Sequence, residues 1–238
     1  AGVTLPAPEL QRTQPTVSEA QQIINPSAIT ADIAPVWYQQ QAPAVNELLR
    51  QLGFLNNVGA QPCAKAGMAY RCEPLEAQTW LEFQSYNRPA VLELITPSKL
   101  LGFTVLLGID GDQAIVSYDS KVSRLSLEQL GALWTGRFVL VWQPSGYYSQ
   151  PFALGDRGLI VEWLAAQFAR IDQQPTLLSG EKFNAALAER VKIFQRDSDL
   201  ADDGVVGLKT LLKINEALQV EKTLDDFASL AQPLPGEG

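Results

Sequence analysis

The chain has 238 residues with an apolar fraction of 46%, which suits a globular protein of one large domain or two modest ones. Its formal net charge of -8 argues against nucleic acid as a partner, because phosphate binding needs clustered Lys and Arg, and equally disfavours an anionic membrane surface. His is absent altogether, which removes the Ser-His-Asp triad, the Cys-His pair and His-based metal sites, so catalysis would fall to carboxylates, Lys, Tyr or Cys.

The first residues, AGVTLPAPEL, lack the basic start and apolar core of a signal peptide. Their linker-like character favours a piece of a longer protein over a mature chain. Residues 1–36 carry five prolines among polar residues and read as an extended linker, with a short helix expected at 18–24. No run reaches the roughly 18 apolar residues that would span a bilayer.

A helix is expected over 43–52, where Val45, Leu48, Leu49 and Leu52 share one face, Pro43 suits the first turn and Gly53 the position just past the end. A second is expected over 75–84, with Ala77, Trp80 and Leu81 facing inward. Strands follow at 89–95, 102–109 and 113–118, the last two joined by an Asp110-Gly111-Asp112 hairpin turn. Ser126 and Gln129 form a capping box opening a short helix to Trp134. Residues 137–143 read as a strand with Phe138, Leu140 and Trp142 on one face and Val139 and Val141 on the other. Helices followed by four mostly antiparallel strands predict an α+β domain over 37–143.

The segment 144–151, PSGYYSQP, marks a boundary. Beyond it the pattern is helical. Val161, Leu164 and Phe168 form one stripe over 158–170. Phe183, Ala186, Leu187, Arg190, Val191 and Phe194 form a second, and Leu208, Leu211, Leu212 and Asn215 a third. Residues 152–220 are therefore expected to be a small all-α three-helix domain, and 221–238 a tail with a helical turn at 224–230 before a disordered end.

Cys63 and Cys72 are the only cysteines. Two ligands cannot make a zinc site and no base exists to activate a nucleophile. A disulfide, stabilising by roughly 2–3 kcal/mol and implying an oxidising compartment, is the expectation, with two free thiols as the alternative. The acidic run Asp197, Asp199, Asp202, Asp203 fails the calcium-loop register because Ala201 falls on a ligand position. No phosphate-binding loop occurs, and no carboxylate pair is placed across a cleft as a glycosidase requires. The aromatics Trp134, Phe138, Trp142, Tyr147 and Tyr148 read as packing. No metal or cofactor is expected.

Residues 191–215, VKIFQRDSDLADDGVVGLKTLLKIN, form a helix end, an acidic loop, a tight turn and a second helix. Val191, Phe194, Gln195, Leu200, Asp203, Gly204, Gly207 and Thr210 resemble the peptidoglycan-binding family of three-helix domains, with LGDRG at 154–158 resembling its first half. The long polar region 172–180 departs from the pattern. The resemblance implies wall binding through Gln195, Asp203, Gly204 and Thr210, with Phe194 at the edge, where its helical spacing also makes it a core residue.

The preceding domain resembles the papain-like peptidases that process double-glycine leaders. In GFTVL, Gly102 stands where that family's His opens the strand, and Asp119 stands in the Asp position. The Cys position falls in Gln39-Gln40-Gln41-Ala42-Pro43, so the resemblance implies a degenerate, non-catalytic domain. The domain order, NRPAVLEL at 87–94 and W-x-G at Trp134 and Gly136 resemble the periplasmic region of the GspA/ExeA type II secretion accessory family. That implies a scaffold in the periplasm, part of an inner-membrane protein, that binds peptidoglycan and a GspB/ExeB-type partner. The secretin would be engaged indirectly, and a homo-oligomer could raise avidity for the wall. The rival expectation is a hydrolase or peptidase anchored to the wall by its C-terminal module.

Overall fold

The computed structural model describes residues 36–54, 59–64 and 70–230. The linker and helix expected within 1–35, and the end beyond 230, lie outside the described residues. Thirteen elements follow in order. The first unit comprises α1 (Gln41–Gln51), β1 (Arg71–Glu76), α2 (Trp80–Gln84), β2 (Ala90–Ile95), β3 (Leu101–Asp110), β4 (Gln113–Tyr118), β5 (Lys121–Ser126), α3 (Leu127–Gly131) and β6 (Trp134–Trp142). The helical part comprises α4 (Leu159–Ile171), α5 (Ala185–Asp197), α6 (Leu208–Ala217) and α7 (Leu224–Leu230). The class is α+β, with one antiparallel sheet of six strands in the order β1-β6-β2-β3-β4-β5.

The β6 alternation behaves as its sequence demands. Phe138, Leu140 and Trp142 enter one apolar cluster, and Val139 and Val141 enter the other on the opposite face. Strand β3 is buried from Gly102 to Ile109, because α1 and α7 cover one of its faces and the larger cluster fills the other. On α1, Ala44, Val45, Leu48 and Leu49 turn inward as their spacing predicts. The capping box of α3 is made in both directions, Gln129 N–H donating to Ser126 Oγ and Ser126 N–H to Gln129 Oε1.

The expected helix over 75–84 is corrected. Its first part is β1, an edge strand that tolerates Pro74 because one side of an edge needs no N–H donor. Thr79 then caps a helix of only five residues. Leu81 is 79% exposed, and Phe83 takes the inward place. The expected four strands become six, with β1 and β5 as the added edges. Phe183 is buried but precedes α5, whose N-cap is Asn184 accepting from Leu187 N–H.

One apolar cluster runs without interruption from Phe83, Leu92 and Trp142 through Tyr148 and Phe152 to Phe168, Leu187 and Leu211. The connecting residues 144–151 take part in it, and Arg71 Nη2 donates to Tyr148 O at 2.6 Å. The helical turn expected at 224–230 is α7, and it returns to the sheet. A Cβ on Gly108 would lie 2.9 Å from Leu224 O and 3.0 Å from Ala228 N, so only glycine allows this approach.

Candidate functional site

The turn at 203–204 is organised by one buried side chain. Gln195, 2% exposed near the end of α5, reaches across the loop. Its Nε2 shares two hydrogens among three acceptors, Asp203 Oδ1 at 3.0 Å, Val205 O at 2.9 Å and Thr210 Oγ1 at 3.2 Å. Its Oε1 accepts from Gly204 N–H at 2.9 Å. Asp203 Oδ1 also accepts from Val205 N–H at 2.8 Å. Gly204 holds φ 76°, in the region glycine enters without strain. The Arg196 guanidinium pairs with Asp202 at 3.0 Å and holds its carboxyl below the usual range.

The structure thus brings Gln195, Asp203, Gly204 and Thr210 together, with most of their hydrogen bonding spent on one another. Phe194 lies apart from them. Its ring meets Phe168 edge-on at 5.4 Å, and Arg190 lies over Phe168 at 4.7 Å while gripping Asp172 through two nitrogens. Beside the turn is a groove of about 240 Å³ with Pro151, Leu200 and Val205 as apolar walls and Asp203, Lys209 and Thr210 as polar ones. Sequence reasoning missed Lys209, because its importance depends on α2. Its Nζ donates to Ser85 Oγ at 3.0 Å and stands 4.5 Å from the centre of the Tyr86 ring.

The peptidase-like positions sit at the other end of the molecule's sheet. A Cβ on Gly102 would fall 2.8 Å from Thr96 Cγ2 and 3.3 Å from Trp37 Cδ1. Thr96 is held by hydrogen bonds to Ser98 Oγ and to the Leu100 backbone. Asp119 is exposed in the β4–β5 turn, where it and Ser120 both have positive φ, the geometry of a tight hairpin. Its N–H donates to the Tyr38 hydroxyl at 2.9 Å. Tyr38 pairs in both directions with Phe103, and burial pushes its hydroxyl pKa up. A short strap, Val36 to Tyr38, therefore ties the neighbourhood of Gly102 to Asp119.

Glu47 was also missed. Its side chain is fully buried beneath the sheet, with Ser117 Oγ donating to it at 2.6 Å, Gln51 Nε2 at 3.0 Å and Arg50 Nη1 at 2.7 Å. Burial opposes ionisation, yet these donors prevail and hold the carboxyl below its ordinary range. A carboxylate among Ala44, Val45 and Leu48 was the available signal. Cys63 and Cys72 are joined as a disulfide, with Cα atoms 5.5 Å apart.

Residues 36–144 match the family described as GspA, peptidase C39-like domain. The chain is 26% identical over 176 residues to general secretion pathway protein A of Aeromonas hydrophila, covering 72% of this chain and 31% of that protein. It is 24% identical over 189 residues to the putative general secretion pathway protein A of Escherichia coli strain K12, covering 78% and 37%. The chain thus spans about a third of the length of these relatives. In fold it resembles a periplasmic domain of the EpsAB fusion protein of the Vibrio vulnificus type II secretion system, with a TM-score of 0.58, 22% identity, and coverage of 87% of this chain and 91% of that one. No helix among the described residues is long and apolar enough to cross a membrane.

Proposed function

We propose that this chain, whose residues 36–144 match the GspA, peptidase C39-like family, is a non-catalytic periplasmic scaffold of a type II secretion system. It binds peptidoglycan through the groove beside the Asp203-Gly204 turn. It binds a GspB/ExeB-type partner through the α+β unit and so supports passage of the secretin through the cell wall. The observation that carries the non-catalytic reading is Gly102. At Gly102, which the resemblance sets at the peptidase His position, a Cβ would crowd Thr96 and Trp37, and the chain holds no His.

The wall-binding part rests on the turn and the groove, and on the resemblance of 191–215 to wall-binding three-helix domains. Here Gln195, Gly204 and Thr210 shape the site, and Asp203 stands at its exposed rim. Pull-down of the chain with insoluble peptidoglycan is expected to retain it, and affinity purification from periplasm is expected to bring down a protein partner. Absence of retention would remove the wall anchor. Turnover of wall or peptide substrates above that of a Cys72→Ala control would overturn the scaffold.

A further inference from the structure

We propose that the surface where α2 meets the end of α3 is a docking site for a basic segment of a protein partner, with Leu81 and the Trp80 indole as its anchors. The proposal rests on the partner-binding reading above and names the surface and the chemistry that meets it.

Leu81 is the most exposed of the large apolar side chains described, at 79%. It stands on a helix of five residues whose inward place belongs to Phe83, so in water it contributes nothing to the core. Single exposed leucines are common, and what distinguishes this one is its neighbour. The Trp80 ring stacks on Trp134 with centres 4.4 Å apart and meets Phe83 edge-on at 6.0 Å, yet both indoles are only partly buried. Held between these rings, Trp80 has little freedom left to lose when a partner covers it. Aromatic anchors of this kind carry much of the binding energy at protein interfaces.

The Trp80 N–H is also unspent. Trp134 Nε1 donates to Arg137 O at 3.0 Å, whereas Trp80 Nε1 has no acceptor among the described residues and is not shut off from solvent. Gly131, at the end of α3, leaves that nitrogen uncovered, since a Cβ there would lie 3.1 Å from it. A backbone carbonyl of an arriving chain can accept this hydrogen.

Charge selects the occupant. Glu82 on α2 and Glu128 on α3 are exposed, and neither joins an ion pair among the described residues. A second copy of the chain, which carries a net charge of -8, would set carboxylates against carboxylates, and an anionic lipid surface would be repelled in the same way. A sugar needs donors and acceptors around an open ring face, and Leu81 supplies none. A peptide segment with an apolar side chain flanked by Lys or Arg answers the leucine, the indole N–H and the two glutamates together.

The test is calorimetric binding of the full chain to the purified periplasmic part of a GspB/ExeB-type protein. Leu81→Glu is expected to weaken binding about tenfold or more. Glu128→Lys should weaken it and flatten its dependence on salt. Leu154→Glu, at a leucine 62% exposed in the helical part, should bind as the wild type does, and equal melting temperatures would show that all variants are folded. Wild-type affinity in Leu81→Glu would overturn the proposal while leaving the partner reading in place, as would binding that salt does not weaken. Loss of retention on insoluble peptidoglycan by Leu81→Glu, with the protein still bound, would overturn it by revealing a glycan platform. No binding of the wild type would remove the partner reading and the proposal with it.

Discussion

Gln195 shows how a residue of a binding signature can be structural first. Four groups of the turn depend on its amide, and Gly204 N–H is buried with Gln195 Oε1 as its acceptor. Leaving buried polar groups unpaired costs about 1–3 kcal/mol each. Gln195→Leu is therefore expected to destabilise the fold by roughly 3 kcal/mol, read as a lower midpoint in chemical denaturation. Gln195→Glu should not rescue it, since a second carboxylate would face Asp203 and the Val205 carbonyl. Gly102 makes the complementary point at the other end of the sheet. A side chain placed there would crowd Thr96 and Trp37, so Gly102→His is expected to lower stability.

Among the elements, α7 most changes the picture drawn from sequence. Gly108 lets its backbone come within van der Waals distance of β3, and Phe227 and Ala228 complete the cluster over α1. Gly108→Val is expected to cost about 1–3 kcal/mol through overpacking and to raise amide exchange along 224–229. Gly146→Ala, where a Cβ meets nothing within 4 Å, serves as the neutral control. The elements that the sequence made legible were those with a face to bury. Helix α1, strands β2, β3, β4 and β6, and the stripes of α4 to α6 all announce themselves through apolar spacing. Strand β5 did not, because KVSRLS lies on an exposed edge and only Leu125 packs against the core, too little to mark a face. Strand β1 was hidden by Pro74, and α7 was expected at 224–230 but its return to the sheet was not. The candidate turn was readable as a turn from Asp203-Gly204 alone. Lys209 was not, because its partners Ser85 and Tyr86 are distant in sequence.

At the scale of the whole molecule, the sheet unit and the helical part are joined by a polar rivet as well as by apolar packing. Arg88 is almost wholly buried, and its Nε donates to Glu221 Oε2 at 2.8 Å and its Nη2 to Leu212 O at 2.6 Å. Glu221 Oε1 accepts from Gln143 N–H, and Asn215 Nδ2 donates to Gln143 O at 2.9 Å. Removing one member of such a buried pair strands the other, at a cost of about 3–5 kcal/mol. Arg88→Met is expected to show that loss in denaturant unfolding, with proteolysis appearing first at residues 143–151. Arg88→Met combined with Glu221→Leu should recover part of it, since two apolar groups leave no uncompensated charge.

The return of α7 to β3 also has a mechanical consequence. The chain leaves the sheet at Trp142, builds the three helices, and comes back to the same sheet at Leu224. Tension applied at the groove would therefore reach the sheet along two covalent paths, one through the connector and one through the segment after α6. A module hung on a single linker would swivel and stretch under such a pull. This one would pass it on as force and torque with its direction preserved.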